Sequence, residues 1–495
     1  QRLFLVLDDS ELHSPSHPIP LARPELEQVT RTLVLSYAHA HGSGYASPRG
    51  LALPPTSFWP AWRDNVASVL RAIYDRHSRV SLTADSTFHP PKPIPPTLLS
   101  STPFVFPFVE RVRIFDAERN ALHRQRAASG PSVQITVRRE GLLDSALAAV
   151  ERLDAASLRR RFHVSFVDEF GMTEAGIDAG GLFKDLWTSI SKPLFDPRYG
   201  LFAETPHHTL YPNPDAALAL GAEDAPRLYR FAGRILGKAL LEGITVQPIF
   251  AHFMLARLLG KRPSFNDLHT LDPALYRSLL QIKRYDGDVE NDLCLTFVEP
   301  RGDGALDETP HPLIPGGADI PVTRHNRLQY IDTVADARMN KAIRSQTFAL
   351  CQGLEEALPT QWLTIFSEPE LQVLISGDET VDVDDLRRHT RYGGGYSGVS
   401  AAIRSFWSVM EEMDTKNRAA LLRFVTACER APPLGFQQLQ PPFTIQCVPG
   451  REARSRLPTA STCFNVLKLP DYPSKAVLKE KLLLAIHSGA GFDLS

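Results

Sequence analysis

Five cysteines supply the side chains most able to form a covalent intermediate: Cys294, Cys351, Cys428, Cys447 and Cys463. The thiolate is the nucleophile, so a working cysteine needs exposure and some thiolate character, whereas a buried thiol is an inert apolar side chain. No two are close enough for a CxxC zinc or redox motif, and there is no dense disulfide framework. An odd count in a chain of this size suits a reducing compartment. Cys463 has the most distinctive surroundings. It lies in RLPTASTCFNVLKLP (456–470), just past Pro458, where loops normally meet solvent. Thr462 and Asn465 beside it could donate hydrogen bonds to an oxyanion, although stabilising the turn is the plainer role for each. A cysteine hydrolase would need a paired histidine. His487 is the only histidine after Cys463, and it stands in a helical pattern with no motif around it.

Other chemical signals are weaker. GRILGKAL (233–240) is one residue short of a phosphate loop, and Ala239 replaces the magnesium-binding hydroxyl. It lies inside the clearest helical pattern of the chain, so small residues in a packed helix explain it. Gly180 and Gly181 after Asp178 could cradle an anion at a helix start, but a tight turn explains them as well. His207 and His208 are adjacent in a Pro-bounded loop, and their side chains diverge. There is no HExxH, no GxSxG and no metal-ligand cluster, so neither a metal nor a cofactor is expected.

The elements that would position Cys463 follow from periodicity. Phe443, Ile445 and Cys447 alternate as in a strand, Phe406–Met413 and Ala419–Cys428 read as helices, and 475–487 as an amphipathic helix. Further upstream, Val133, Ile135 and Val137 alternate, as do Phe162, Val164 and Phe166. Leu143, Leu147 and Val150 repeat at helical spacing. Residues 226–242 give the strongest helix, with Pro226 in its first turn and Gly243 at its end. A further helical block spans about 333–358, and a Pro- and Gly-rich surface loop spans 300–321. These segments divide the chain into a helical N-terminal extension (1–87), a Pro-rich linker or strap (88–107), a large unit (108–375), a polar, acidic hinge (376–382) and a C-terminal unit mixing both periods (383–495). Val66, Leu70 and Ile73 carry the helical spacing in the extension.

At 495 residues the chain is too long for one core. Its 43% hydrophobic and 22% charged residues are those of a globular protein. The formal net charge of -2 offers no basic excess for nucleic acid or an acidic membrane, and no apolar run approaches the roughly 18 residues that cross a bilayer. The opening QRLFLVLDDS is not a signal peptide and lacks Met, so a fragment of a longer protein is expected.

LPTA-x-TCFN-x-L-x-LP, from Leu457 to Pro470, resembles the active-site signature of HECT-type ubiquitin ligases. FVDEFGMTEAGIDAGGLFKDLW (166–187) is similar to the family's Asp-Glu and Asp-Ala-Gly-Gly-Leu block. FAGRILGKALLEG, SFNDLHTLDPALYRSL, PVTRHNRLQYI, ELQVLISG, YGGGYSG and LLRFVTACERAPPLGF resemble its later blocks. Ala427 departs from the Gly of many members at a scaffold position, which leaves the mechanism intact. The resemblance runs from about residue 105 to the end. TPFVFPFVERVRIF and AGFDLS look closest to the proteasome-associated branch.

The resemblance implies an α+β bilobal fold, with a mainly helical N-lobe and a smaller α/β C-lobe joined by the hinge. It implies a transferase that takes ubiquitin from a conjugating-enzyme thioester onto Cys463 and passes it to substrate lysines. Phe492, fourth from the end, would anchor the C-terminal tail, and Asp493 or the Ser495 carboxylate would assist lysine deprotonation. Leu275, Leu279, Tyr285, Leu293 and Leu295 fall where the family docks the conjugating enzyme, with ordinary core as the plainer reading. The implied partners are a conjugating enzyme, ubiquitin, protein substrates and the proteasome, in cytoplasm or nucleus. The alternative is a catalytically silent scaffold that binds conjugating enzyme or ubiquitin. The intact loop around Cys463 and the presence of Phe492 argue against it.

Overall fold

The computed structural model describes residues 23–40, 59–80, 84–89, 98–99, 101–128, 132–168, 172, 181–300, 311–426, 428–450 and 455–488. Its buried apolar residues fall into three clusters. The first is built on α1 (Arg23–Ala40) and α2 (Trp59–Val80). Val34, Tyr37, Val66, Leu70 and Ile73 pack there with Phe88, Leu98, Phe104, Val105 and Phe106. The end of the Pro-rich stretch is therefore not a free linker. Proline keeps this stretch out of an α-helix interior, but three consecutive apolar side chains, Phe104 to Phe106, are buried in the cluster built on α1 and α2.

The second cluster runs from Val112 to Ile375. Its longer elements are α3 (Phe108–Ala128), β1 (Val133–Arg138), α4 (Leu142–Glu151), β2 (Phe162–Val167), α5 (Gly181–Leu194), β3 (Phe202–Glu204), β4 (Leu210–Pro212), α6 (Asp224–Glu242), α7 (His252–Leu258), α8 (Pro273–Arg284), α9 (Val289–Leu293), α10 (Arg327–Asp336), α11 (Arg344–Ala357) and α12 (Glu368–Ser376). β1 and β2 pair in parallel across the α4 crossover, and β3 pairs antiparallel with β4. The helical block expected over 333–358 is two helices. A π-helical turn, Ala337–Lys341, separates them, where Asn340 Nδ2 donates to Asp336 Oδ1 at 2.9 Å.

Helices α6 and α11 pack with unusually close backbones. A methyl group on Gly233 would overlap the Leu350 carbonyl oxygen, and one on Gly353 would overlap that of Arg230. A Cβ on Gly237 would stand 2.8 Å from Ala357 Cβ. Glu356 of α11 binds the Arg230 and Arg234 guanidiniums of α6 at 2.5 and 2.6 Å. The glycines of GRILGKAL are thus notches for a neighbouring helix. Its lysine, Lys238, is buried. It pairs with Glu242 at 2.5 Å, donates to the Arg160 carbonyl and lies over the Phe162 ring. Burial pushes its pKa down, against the pull of Glu242.

The third cluster spans Val381 to Ile486. α13 (Val383–His389), β5 (Arg391–Gly393), α14 (Ala401–Glu412), α15 (Thr415–Thr426), β6 (Thr444–Val448), β7 (Thr459–Ser461), β8 (Val466–Pro470) and α16 (Lys475–Ser488) build it. The sheet order is β5-β6-β8-β7; the first two pairings are parallel and the last is antiparallel. Ile445, Leu467 and Leu469 bury one sheet face under α14, α15 and α16. Between the second and third clusters lies the segment expected to be a hinge, 376–382. Ile375 O still accepts from Val246 N at 2.8 Å, while Asp378 and Ala431 already exchange two backbone hydrogen bonds, 2.7 and 2.9 Å. Val381 is core, and Asp382 caps α13.

Candidate functional site

Cys463 belongs to the connection between β7 and β8. Ser461 faces Val466 in the antiparallel register, so Thr462, Cys463, Phe464 and Asn465 form a four-residue hairpin loop. Thr462–Phe464 make one 3-10 turn, and Asn465 closes it with φ 52 and ψ 41. Such loops commonly end on a left-handed residue, and Asn tolerates that conformation better than most side chains. Phe464 is 57% exposed at the tip. Exposing an aromatic ring there leaves apolar surface beside the cysteine. The Cys463 side chain, Phe492 and Asp493 lie outside what the structure describes, as does Ala427.

Asn465 differs from the expectation of an oxyanion donor. It is 0% exposed, and its Nδ2 donates to Pro441 O at 2.6 Å. Its carbonyl accepts from Thr444 N at 2.9 Å, and its own N–H returns to Thr462 O at 3.3 Å. The side chain therefore ties the loop to the segment entering β6. Burial with one committed donor makes it a fastener of the turn, the plainer of the two roles read from the sequence. Among the described residues its Oδ1 has no hydrogen-bond partner. Thr462 is half-buried at the start of the turn.

Two helices meet the loop, the start of α5 from the second cluster and α15 from the third. Lys184 Nζ of α5 lies 3.4 Å from Thr426 O at the end of α15. Sequence reasoning placed Gly181 in a glycine pair and in the family's Asp-Ala-Gly-Gly-Leu block, with no position relative to Cys463. The structure opens α5 on it and brings that helix to the cysteine loop, a juxtaposition between the second and third clusters that no local spacing could signal. Nearby, a cavity of about 800 Å³ sits where the two clusters meet. Arg119, Arg161, Lys184, Glu242, Pro433 and Gln440 are among the residues lining it.

The five residues expected to dock a conjugating enzyme are close together but not equivalent. Leu279 is 1% exposed and belongs to the core, so it cannot meet a partner. It lies one turn beyond Leu275 on α8, on the face turned inward. Leu275, Tyr285, Leu293 and Leu295 are half-buried and pack on the rim of that core. Their backbone is well fixed. Asp272 caps α8 and Asp288 caps α9. Tyr285 OH donates to Asp292 Oδ2 at 2.7 Å, which raises the tyrosine pKa, and Arg327 donates to Tyr285 O at 2.6 Å. Val322 N donates to Leu295 O at 2.7 Å. Among the described residues no group of three or more His, Cys, Asp or Glu is placed to hold a metal, and no helix is long and apolar enough to cross a membrane.

Comparison with known proteins adds the family. The model described as "HECT-domain (ubiquitin-transferase)" matches residues 188–495. E3 ubiquitin-protein ligase UPL6 of Arabidopsis thaliana is 42% identical over 404 residues, covering 80% of this chain and 39% of that one. Ubiquitin-protein ligase E3B of Homo sapiens is 39% identical over 434 residues, 80% of this chain and 40% of its own. E3 ubiquitin-protein ligase HUL5 of Saccharomyces cerevisiae is 37% identical over 424 residues, 80% and 45%. The chain thus spans about two fifths of the length of such relatives.

Proposed function

The chain belongs to the HECT family of ubiquitin transferases, and from that premise we propose that it is a ubiquitin-protein ligase working through a thioester on Cys463. The Cys463 thiolate attacks the carbonyl carbon of ubiquitin's C-terminal acyl group, held as a thioester on a conjugating enzyme. The tetrahedral oxyanion collapses, the Sγ–acyl bond forms at Cys463, and the conjugating enzyme leaves as its thiolate. A substrate lysine amine then attacks the new thioester, loses a proton, and Cys463 departs as thiolate. Exchange between two sulfurs is nearly isoenergetic and passage of the acyl group from sulfur to a lysine nitrogen runs downhill, so neither step needs a further energy source. Positioning and a suitable proton acceptor supply most of what is needed.

The observation that carries this reading is the four-residue loop at the β7–β8 tip, with the family motif falling on it. A hairpin tip leaves the backbone around the nucleophile open on one side, as transfer between two large proteins demands. Thr462 remains the side-chain donor for the oxyanion, since the Asn465 carboxamide is committed to Pro441. Asp493 or the Ser495 carboxylate would take the lysine proton, with Phe492 anchoring the tail. Leu275, Tyr285, Leu293 and Leu295 would receive the conjugating enzyme, and turning about the segment after Ile375 would carry Cys463 to it. Tagged substrates would pass to the proteasome, in cytoplasm or nucleus.

The test is a non-reducing gel of the chain with activating enzyme, a panel of conjugating enzymes, ATP and ubiquitin. The expected result is an adduct that reducing agent removes and that Cys463→Ala abolishes. Cys463→Ser should trap a slower adduct that resists reduction. A folded wild-type chain that forms no adduct with any conjugating enzyme would overturn the reading.

A further inference from the structure

Among the described residues, Tyr74 and Asp75 of the N-terminal extension reach groups gathered around the start of one helix, α12, which leads towards the third cluster. Tyr74 of α2 packs against the edge of the first cluster, its ring stacked on Phe104 at 4.9 Å and edge-on to Phe88 at 5.1 Å. Its hydroxyl leaves that cluster and reaches Glu370 Oε1 of α12 at 3.4 Å. Glu370 is held by Arg111 through a two-pronged pair, 2.5 and 2.6 Å. The same guanidinium donates to Phe106 O at 2.9 Å and Ile365 O at 2.8 Å. One buried cation therefore ties the end of the Pro-rich strap, the loop before α12 and α12 itself. The next residue of the extension, Asp75, meets Lys261 at 3.6 Å, and Lys261 binds the buried Glu368 of α12 at 3.0 Å.

Acids in a first helical turn are ordinary, because the N-terminal dipole favours them and Glu370 also completes a capping box with Ser367. Capping alone does not explain why both first-turn acids, Glu368 and Glu370, are also gripped by groups that touch adjacent residues of the extension. The other end of α12 is fixed to the body. Gln372 binds Pro248 O and Phe250 N at 3.0 and 2.8 Å, and Ile375 O accepts from Val246 N. Nine residues of helix make a stiff lever of about 13 Å. If its N-terminal grip loosens, the lever tilts about its C-terminal grip, and the point where the third cluster is attached moves with it.

We propose that the extension is a brace for ubiquitin transfer, with Tyr74 and Asp75 as positioning residues that act through Glu370 and Glu368 to fix the helix from which the cysteine-bearing unit swings. The inference rests on the thioester mechanism proposed above. It assigns the extension no contact with the reacting atoms.

The full-length chain carrying Tyr74→Phe and Asp75→Asn together tests it. Both replacements keep side-chain volume and leave the aromatic packing of the first cluster in place. Single-turnover acceptance of ubiquitin is measured against the concentration of loaded conjugating enzyme. The maximal rate should fall about three- to tenfold, while the half-saturating concentration stays within twofold, because the docking patch is untouched. Glu370→Gln, altered on the body side, should give the same split. Amide exchange of residues 371–377, which does not depend on activity, should quicken in both variants. A maximal rate and an amide exchange like those of the wild type would overturn the brace, as would a rate loss that only tracks a smaller folded fraction. A wild-type chain that forms no adduct while the exchange still quickens would instead sink the thioester reading and leave the mechanical contact standing.

Discussion

At the scale of single residues, the cysteine loop shows which side chains can be read from sequence and which cannot. The run LPTASTCFN marks Cys463 as the nucleophile candidate without any structure. The same run suggested one role for Thr462 and Asn465, because a donor next to a nucleophile looks alike in sequence whether it faces the reaction or the backbone. What separates them is Pro441, far back in the chain, whose carbonyl takes the Asn465 amide. Two effects act at position 465, the left-handed backbone and the buried hydrogen bond. Glycine at 465 removes only the second and should cost about 1–3 kcal/mol by leaving Pro441 O unpaired. Alanine removes it too and adds about 1–2 kcal/mol of left-handed strain. Urea unfolding should therefore rank wild type above Asn465→Gly above Asn465→Ala. A glycine variant as stable as wild type would mean that only the backbone conformation mattered.

Tyr74 gives a second residue-scale expectation, in pH. Burial, and secondarily the Glu370 carboxylate, push its pKa from 10.0 up to about 12. The unfolded chain loses this proton near 10, the folded chain only near 12, so the folded state binds more protons between those values. The contribution is complete below pH 10 and is lost as pH rises through about 12. Melting temperature followed across pH 9–12 should fall less steeply for Tyr74→Phe than for wild type. Parallel curves would show that the hydroxyl is not buried against Glu370.

At the scale of elements, periodicity found most strands and helices around the site, including the α6 helix with its Gly243 end and the β6 alternation. It missed how tightly two of them meet. Gly233 and Gly237 read as small residues of a packed helix rather than a phosphate loop, but sequence shows a glycine and not the carbonyl against it. The partner glycine, Gly353, lies far along the chain on α11. Alanine in a helix interior normally gains about 0.5–1 kcal/mol over glycine. At Gly233 or Gly353 that gain is outweighed, since the methyl group must displace a backbone carbonyl, and overpacking of this kind costs about 1–3 kcal/mol. Gly233→Ala and Gly353→Ala should each lower the urea midpoint. A rise in either would mean that the helices separate without penalty. The strap shows the complementary failure of reading. Its prolines left a linker and a strap both open, and Leu98 and Phe104–Phe106 carry the apolar content that places its described part in the first core.

At the scale of the whole molecule, the acidic run after Ile375 was legible as a junction, but not where the junction turns. The sequence shows a polar stretch, 376–382. It does not show that Asp378 pairs with Ala431, a residue beyond three helices, or that Val381 is core. Ile375 is bonded to the second unit and Asp378 to the third, Ser376 is the last residue of α12, and Gly377 N donates to Val373 O at 2.8 Å, so the proposed turning would fall on the φ and ψ of Gly377. Gly377 has φ +83, and a methyl group there would overlap the Ala431 carbonyl oxygen. Alanine at 377 thus meets both left-handed strain and a backbone clash, in the segment proposed to turn the cysteine-bearing unit. A penalty that fell equally on all orientations would cost stability and leave rates alone. If the unit turns there, the penalty falls unequally, because each orientation needs its own φ and ψ at 377 and only glycine reaches them all. A difference of about 1.4 kcal/mol between the resting and transferring orientations slows transfer about tenfold. Gly377→Ala should therefore slow ubiquitin acceptance about tenfold or more while docking of the conjugating enzyme is unchanged. A Gly-Ser insertion after Glu379, inside the segment already tied to the third core, should slow it far less. If the insertion proved the more harmful of the two, the turning point would lie after Asp378, and the narrow hinge would be wrong.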